Sequence, residues 1–116
     1  MPLIKLQVAT SVPEEKKTAI VGAASKVVAD AMGKPETYVM AILDDCGVAA
    51  LGGTVCPAAF VDIRGIGGVD GARNASVSKG ICDLLQQELG IEPDKVYLNF
   101  IDIPAANWGW KGSTFG

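Results

Sequence analysis

Residues 1–9 read MPLIKLQVA, and their pattern decides how the rest of the chain can be organised. Apolar side chains alternate with polar ones from residue 4 to residue 8, which is typical of a strand with one buried face. Pro2 falls on the same face, and proline is tolerated at the start of a strand because no ladder donor is needed there. The buried positions predicted for this first strand are Ile4, Leu6 and Val8.

Pro2 has two interpretations. If the initiator methionine is removed, Pro2 carries a free secondary amine, and an amine held at the start of a buried strand can act as a base or a nucleophile. Proline at position two is also a common, protease-resistant start without a chemical role. Pro2 alone does not decide between a catalytic and a structural function.

The bulk properties predict one domain over residues 1–116, with 49% hydrophobic residues. No apolar run approaches the roughly 18 residues of a membrane span, and the start lacks the basic-then-apolar pattern of a secretory signal. We therefore expect a cytoplasmic protein with no membrane partner. The net charge of −3 contains no block of like charge, which argues against nucleic acid as a partner.

The absence of histidine restricts the chemistry that this chain can perform. It removes the usual Ser-His and Cys-His nucleophile pairs and most zinc-site patterns. Cys46, Cys56 and Cys82 form no C-x-x-C and are odd in number, so we expect reduced thiols rather than a disulfide framework. No metal or cofactor is predicted, and catalysis would have to use amines, hydroxyls, carboxylates and backbone groups.

The first of two predicted amphipathic helices has recognisable signals at both ends. Its start has a capping-box spacing over Ser11–Glu14, and its end is marked by Gly33, with Pro35 preventing continuation. Lys34 lies just past this end, where its simplest role is to complement the negative end of the helix dipole. The sequence thus predicts a helix followed directly by a lysine.

A second helix has an apolar stripe from Val77 to Leu89 and ends at Gly90, with Pro93 beyond it. A turn is predicted at residues 44–47. The other predicted strands cover residues 38–43, 58–64 and 96–103, and residues 48–53 form either a short strand or an irregular connection.

The order strand, helix, glycine, proline, strand therefore occurs twice. Each copy is a βαβ unit, and two units predict an α+β fold with a four-stranded mixed sheet and both helices on one face. The opposite face carries large apolar side chains that no remaining segment can cover. Because an uncovered apolar sheet face implies a partner subunit, we expect a homo-oligomer.

Three other segments could carry chemistry, and each also has a structural explanation. Tyr97 and Asn99 share one strand face, either as a site or as an interface pair satisfied by backbone groups. The glycine-rich loop 65–71 can offer donors to an anion at a helix entrance or be only a tight turn, and Asp70 rules out a dinucleotide fingerprint. The tail, residues 105–116, holds both tryptophans, which either cover an interface or wall a flat ligand.

Together these segments resemble the macrophage migration inhibitory factor family of the tautomerase superfamily. The similarity runs end to end in order, with one extra residue before the first helix. It is carried by Pro2, Gly33-Lys34-Pro35, Gly52-Gly53, Ser78-Lys79, Pro93-Asp94-Lys95-Val96-Tyr97-Leu98-Asn99 and Asn107-x-Gly109-Trp110-x-x-Ser113-Thr114-Phe115.

The resemblance implies a homotrimer with three sites at subunit boundaries and a cofactor-independent keto–enol tautomerase activity. Pro2 would be the general base, and phenylpyruvate-type 2-oxo acids and dopachrome would be the substrates. Lys34 and the backbone N–H of Ile66 would hold the substrate carboxylate or the developing oxyanion. Tyr97 and Asn99 would come from the neighbouring subunit. The aromatic slot would be lined by Tyr38, Trp110 and Phe115.

Several positions depart from the family pattern. Arg64 replaces a histidine at the pocket edge, Gly65 replaces a serine, and Trp108 replaces a smaller aliphatic residue and could narrow the slot. Residues 58–61, Ala-Ala-Phe-Val, stand where animal cytokine members have C-x-x-C, so thiol-reductase activity is not expected.

Three function classes remain open: a tautomerase, a cytokine-like signalling protein with a vestigial site, and a non-catalytic trimeric small-molecule-binding module. An ordinary α-amine with a pKa near 8 is only about 10% free base at pH 7. Burial and the Lys34 cation would both disfavour the protonated form of the Pro2 amine, so its pKa should fall toward the working pH. Pro2, Lys34, Tyr97 and Asn99 favour the enzyme, and the missing thiol motif weighs against the signalling protein.

Overall fold

The computed structural model describes residues 1–45 and 47–116. Its central element is a four-stranded sheet covered on one side by two helices. In chain order the elements are β1 (Leu3–Val8), α1 (Glu14–Met32), β2 (Met40–Asp45), β3 (Ala50–Leu51), β4 (Thr54–Val55), β5 (Ala59–Gly65), α2 (Gly71–Leu89), β6 (Val96–Asp102), β7 (Gly109–Trp110) and β8 (Ser113–Thr114).

The sheet has the order β2-β1-β5-β6. β1 is parallel to β2, β5 is parallel to β6, and the two central strands, β1 and β5, are antiparallel. In each parallel pair, one long helix lies between the two strands in the sequence, because a connection between parallel strands has to cross back over the sheet. The predicted α+β fold with duplicated βαβ units and a mixed sheet is therefore confirmed.

The start of α1 differs from the prediction. The helix begins at Glu14 with Pro13 as its N-cap and has no side-chain cap, so the capping box over Ser11–Glu14 is wrong. Pro13 has a φ of −59° that suits this position, and its carbonyl accepts the N–H groups of Lys16 and Lys17 at 2.9 and 3.2 Å. The proline backbone thus sets the first turn in place of a serine side chain.

Both helices end as predicted, and α2 has a cap that the sequence analysis missed. Gly33 and Gly90 each adopt a φ of +66°, the left-handed conformation that glycine allows at a helix end. The Asp70 carboxylate accepts the N–H of Arg73 at 2.9 Å at the start of α2. Within the described residues, no helix has the length and hydropathy needed to cross a membrane.

The core lies between the helices and one face of the sheet. The two helices also touch each other so closely that a methyl group added at Gly80 would lie 2.7 Å from Val27 Cγ1. This contact keeps both helices on the same side of the sheet. The fully buried side chains include Ile4, Leu6, Val8, Ile20, Val28, Val61, Ile63, Val77, Ile81 and Leu85.

Neither helix covers the other sheet face. Three rows of side chains run across it in register, and each row mixes apolar with polar groups. The rows are Met40, Leu3, Arg64 and Ile101; then Ile42, Lys5, Asp62 and Asn99; then Asp44, Gln7, Phe60 and Tyr97. Large apolar side chains are exposed here as predicted, but ion pairs lie between them, such as Arg64 with Asp62 at 3.0 Å.

The remaining differences concern connections. β2 begins at Met40 because Glu36–Tyr38 forms a short 3₁₀ turn, and it continues through Asp44 and Asp45 where a turn was expected. Cys46, part of that predicted turn, lies outside the described residues. The segment 48–53 contributes β3, which pairs with β4.

Candidate functional site

A cleft of about 750 Å³ opens where β1 and β2 begin. β5 and β6 end at the same edge of the sheet, because β5 runs antiparallel to β1. Five residues singled out from the sequence line this cleft. They are Pro2, Tyr38, Arg64, Trp108 and Trp110, and their neighbours in the wall include Met1, Met40, Ile103 and Asn107.

Pro2 is buried and fixed by the sheet. Its carbonyl accepts the N–H of Met40 at 3.1 Å, which extends the β1–β2 pairing by one residue. With Met1 attached, the α-amine belongs to Met1, which also lines the cleft. Burial, and to a smaller extent the nearby Lys34 ammonium, lower the pKa of the Met1 α-amine below its ordinary value of 8.0. A positive charge is therefore disfavoured at this end of the chain.

Lys34 extends from the end of α1 toward the loop after β5. Its Nζ donates to the backbone carbonyl of Ile66 at 2.9 Å, so its ammonium is held by this loop rather than by the α1 carbonyls. The loop lies close against the lysine side chain: a methyl group added at Gly68 would lie 3.0 Å from Lys34 Cε. Gly67 and Gly68 have φ values of +69° and +75°, a conformation that permits this approach.

Two hydrogen bonds tie the same loop to the end of β6. Ile103 N–H donates to the carbonyl of Gly65 at 2.8 Å, and Gly67 N–H donates to Asp102 Oδ1 at 2.9 Å. The sequence analysis missed Asp102. Asp102 could be found only from the register of β5 and β6, which pairs it with Gly65. That register is known only when the two strands have been aligned.

The tail forms an aromatic wall next to the cleft. β7 and β8 are joined by Lys111 and Gly112, both with positive φ, and this hairpin presents Trp110. Trp110 meets Tyr38 edge to face at 6.1 Å between ring centroids and stacks on Phe115 at 5.5 Å. Of the three residues expected to line an aromatic slot, Tyr38 and Trp110 line the cleft, whereas Phe115 packs on Trp110 and is not part of the cleft wall.

Arg64 and Gly65 occupy adjacent positions at the end of β5 but have different surroundings. Arg64 lines the cleft, and its guanidinium is held by Asp62, with Nη2 3.0 Å from Oδ2. Gly65 is buried, and a methyl group added there would lie 2.8 Å from Met32 Cε. Gly65 therefore accommodates the core methionine, and its position leaves no room for a serine side chain without a shift of Met32.

Tyr97 and Asn99 lie away from the cleft of their own chain. Tyr97 is paired with Phe60, four residues along β5 from Arg64, which is about 13 Å of strand. Tyr97 instead lines a second crevice of about 340 Å³, together with Gln7 and Phe60. A site that contains both Pro2 and Tyr97 therefore requires two copies of the chain.

Neither of the two described cysteines, Cys56 and Cys82, forms a disulfide. Burial raises the pKa of the Cys82 thiol, which keeps it in its less reactive form. The absence of thiol-reductase activity stays a prediction. Among residues 1–45 and 47–116, no group of three or more cysteine, aspartate or glutamate side chains could hold a metal ion.

Comparison with known proteins agrees with this geometry. The family model for macrophage migration inhibitory factor matches residues 1–116. Rat macrophage migration inhibitory factor is 42% identical over 87 residues, covering 75% of this chain and 76% of that protein.

Two solved structures are also similar over nearly the whole chain. The migration inhibitory factor-like protein of Entamoeba histolytica superimposes with a TM-score of 0.94 at 33% identity, covering 98% of each chain. The homologue from Prochlorococcus marinus has a TM-score of 0.91 at 39% identity and covers 98% of this chain and 99% of that one. The chain therefore belongs to the macrophage migration inhibitory factor family.

Proposed function

We propose that this protein is a cofactor-independent keto–enol tautomerase of phenylpyruvate-type 2-oxo acids, with dopachrome as a further substrate. Pro2, freed by removal of Met1, is the general base. In the direction from enol to ketone, the Pro2 nitrogen accepts the enol hydroxyl proton and a proton is returned to C3. The reaction gains and loses no atoms, so it needs no co-reactant.

The observation that carries this proposal is the electrostatic environment at the start of β1. Burial and the Lys34 charge lower the pKa of the Met1 α-amine, and we expect both to act in the same direction on the adjacent Pro2 nitrogen once Met1 is removed. A lowered pKa leaves more of the amine as free base near neutral pH, which is the form that accepts a proton. A solely structural proline needs no such environment.

The substrate class follows from the groups around Pro2. Lys34 has three ammonium donors, of which the carbonyl of Ile66 uses one, so the others are available to a carboxylate. Tyr38, Trp108 and Trp110 offer apolar rings on the cleft wall to an aromatic side chain. An aryl 2-oxo acid has both features, an anionic end and a flat apolar end.

We further propose that the active assembly is a homotrimer in which Tyr97 and Asn99 of a neighbouring subunit complete each site. The exposure of Tyr97 and its distance along the sheet from the cleft of its own chain support this arrangement. A trimer also fits the family to which the chain belongs.

The decisive experiment compares the trimmed protein with two other forms, one in which the Pro2 nitrogen is blocked and one in which Pro2 is replaced. Retaining Met1 turns that nitrogen into an amide, and Pro2→Gly replaces it with a primary, more mobile amine. Because general acid–base catalysis contributes about 10²- to 10⁴-fold, turnover of enolisable phenylpyruvate should fall by that order in the blocked form. Melting temperature, measured alongside, separates loss of the base from loss of the fold.

Pro57→Gly is the matched control, because Pro57 also lies just before a strand but does not line the cleft. It should leave turnover close to wild type. Equal turnover by the blocked and trimmed forms would overturn the assignment. Binding of 2-oxo acids without any turnover would favour the non-catalytic module.

A further inference from the structure

One peptide group near the cleft is held from both sides by opposite charges. The carbonyl of the Ile66–Gly67 peptide accepts a hydrogen bond from Lys34 Nζ at 2.9 Å. The N–H of the same peptide donates to the carboxylate of Asp102, also at 2.9 Å. Lys34 and Asp102 are therefore linked through a single planar amide, which we name the Ile66–Gly67 bridge.

The electrostatics of this bridge are favourable at each end. A peptide dipole has its negative end at the carbonyl oxygen and its positive end at the N–H, so the cation and the anion each face the pole that attracts them. Because the peptide is planar, a rotation that breaks the hydrogen bond to Asp102 also turns the carbonyl away from Lys34. The position of the Asp102 carboxylate thus influences where the Lys34 ammonium can lie.

The surrounding backbone makes this coupling specific to Asp102. Gly67 and Gly68 both have positive φ, and glycine leaves such a turn conformationally free unless contacts fix it. Gly65 is already fixed by its bond from Ile103 N–H. Among the hydrogen bonds that the described residues make to the bridge, two come from side chains, one from Lys34 and one from Asp102.

We propose that Asp102 is a positioning residue for the anion site: through the Ile66–Gly67 bridge it holds the Lys34 ammonium where the substrate carboxylate binds. This inference rests on the proposed function for its kinetic consequence. It assigns no contact between Asp102 and substrate. Asp102 should therefore affect binding of an anionic substrate more than the chemical step.

The expected results follow from the exposure of Asp102, which allows water to replace part of the lost bond. Asp102→Ala should raise KM for phenylpyruvate about 3- to 10-fold, as expected for the loss of one solvent-exposed hydrogen bond, with kcat changed less than about twofold. Asp102→Asn keeps an acceptor oxygen without the charge and should lie between wild type and Asp102→Ala. Asp83→Ala removes an exposed carboxylate that pairs with Lys79 on α2 and should change neither parameter.

A double-mutant cycle distinguishes positioning of Lys34 from a general structural effect. If Asp102 acts through Lys34, Asp102→Ala should raise KM in the wild-type background but not in the Lys34→Ala background. Equal increases in both backgrounds would overturn the proposal. Circular dichroism and melting temperature check that each variant is folded, and Asp102→Asn carries the test if Asp102→Ala is not.

Two measurements do not depend on turnover and separate this inference from the proposed function. Amide hydrogen exchange at Gly67 should be faster in Asp102→Ala, and the dissociation constant of 4-hydroxybenzoate, a non-reacting carboxylate probe, should rise by the same 3- to 10-fold. If the wild type binds the probe but turns over no 2-oxo acid, the proposed function fails and these measurements still decide the role of Asp102. Unchanged exchange at Gly67 or unchanged probe binding would contradict it.

Discussion

Tyr97 is paired with Phe60 across β5 and β6, at the end of the sheet opposite to the cleft that contains Pro2. Its side chain is 65% exposed, which is unusual for a large aromatic residue in a sheet. Together with the exposed Phe60 and Ile101, it gives the helix-free face a surface suited to another copy of the chain.

The first prediction concerns this assembly. Light scattering on a sizing column should give the mass of three chains of 12.0 kDa each at micromolar concentration. Pro2→Gly and Tyr97→Ala should each lower activity. Mixing subunits of the two variants after reversible dissociation should raise activity above that of either variant alone, because about a quarter of the sites then combine an intact Pro2 with an intact Tyr97.

Two results would contradict this composite site. A stable monomer with tautomerase activity would show that one chain is sufficient. Mixed trimers without regained activity would show that Tyr97 does not serve a neighbour's cleft. The double variant that carries both changes in one chain is the control, since mixing it with either single variant should restore nothing.

Lys34 is predicted to act on both pH dependence and binding. Its charge lowers the pKa of an α-amine at the start of the chain, so Lys34→Ala should raise the pKa of the Pro2 amine. The rising limb of kcat/KM should then move to higher pH, since more base is needed to deprotonate the amine. KM for phenylpyruvate should increase about 10- to 100-fold through loss of a charged hydrogen bond.

The pH profile and isotope-labelled proline observed by NMR would both measure this shift. Lys26→Ala is the matched control, because Lys26 lies on the exposed side of α1 and pairs with Asp30, one turn along the same helix. A Pro2 pKa that stays near 8 in the wild-type protein would remove the physical basis for a general base.

Replacement of a helical glycine by alanine should lower the free energy of unfolding at Gly80 and raise it at Gly22. Gly80→Ala places a methyl group 2.7 Å from Val27 Cγ1 and should lower the free energy of unfolding by about 1 to 3 kcal/mol, the usual range for overpacking. Gly22→Ala meets nothing within 4 Å inside α1 and should raise it by about 0.5 to 1 kcal/mol.

Urea unfolding of both variants checks this pair. Adding Val27→Ala to Gly80→Ala should recover part of the loss, because it removes the clashing methyl groups. Equal stability of the two glycine variants would show that the helices can separate without cost at this contact.

Asp70 should make the stability of the folded protein depend on pH under acidic conditions. The hydrogen bond from Arg73 N–H lowers the pKa of the Asp70 carboxyl below its ordinary value of 3.8. A carboxylate with a lowered folded-state pKa stabilises the protein above the unfolded-state pKa, and this stabilisation is lost as the pH falls through the folded value. Asp70→Ala should therefore melt at a lower temperature than wild type at pH 7.

Melting curves from pH 7 down to pH 2 test whether the stabilisation by Asp70 is lost as the pH falls. The difference between Asp70→Ala and wild type should shrink below pH 3.8. Asp70→Asn, which keeps a capping oxygen, should lie closer to wild type at pH 7. A difference that stays constant over the whole range would mean that the charge of Asp70 does not contribute.

Much of the fold could be predicted because its signals are local. The alternation in β1 and the glycines that end both helices act over a few residues, and the structure confirms them. The errors arose where neighbouring signals compete. Ser11 has the spacing of a cap, but Pro13 sets the first turn of α1, and Tyr38 begins an apolar run but belongs to a 3₁₀ turn.

The candidate site was predictable only in part, because its members meet through long-range pairing. The resemblance supplied the roles of Pro2, Lys34 and the aromatic residues. The structure places Pro2, Tyr38, Trp108 and Trp110 in one cleft, Phe115 against Trp110, and Lys34 near enough to the start of the chain to lower the pKa of the Met1 α-amine. Asp102 was not predicted, because no local sequence pattern marks a carboxylate at the end of a strand as part of a site. Its partner, Gly67, is 35 residues away, and only the β5–β6 register brings the two together.

The duplicated βαβ unit has a consequence for how chemistry is divided between its halves. The two clefts lie at related places, one where β1 and β2 begin and the other where β5 and β6 begin. Pro57 precedes β5 much as Pro2 precedes β1, but its nitrogen belongs to the Cys56–Pro57 peptide bond and is not basic. If Pro2 is the base, twin halves of similar shape cannot be twin catalysts, since a polypeptide has one α-amine. In the proposed trimer, the second half then serves as a wall for the site of another subunit.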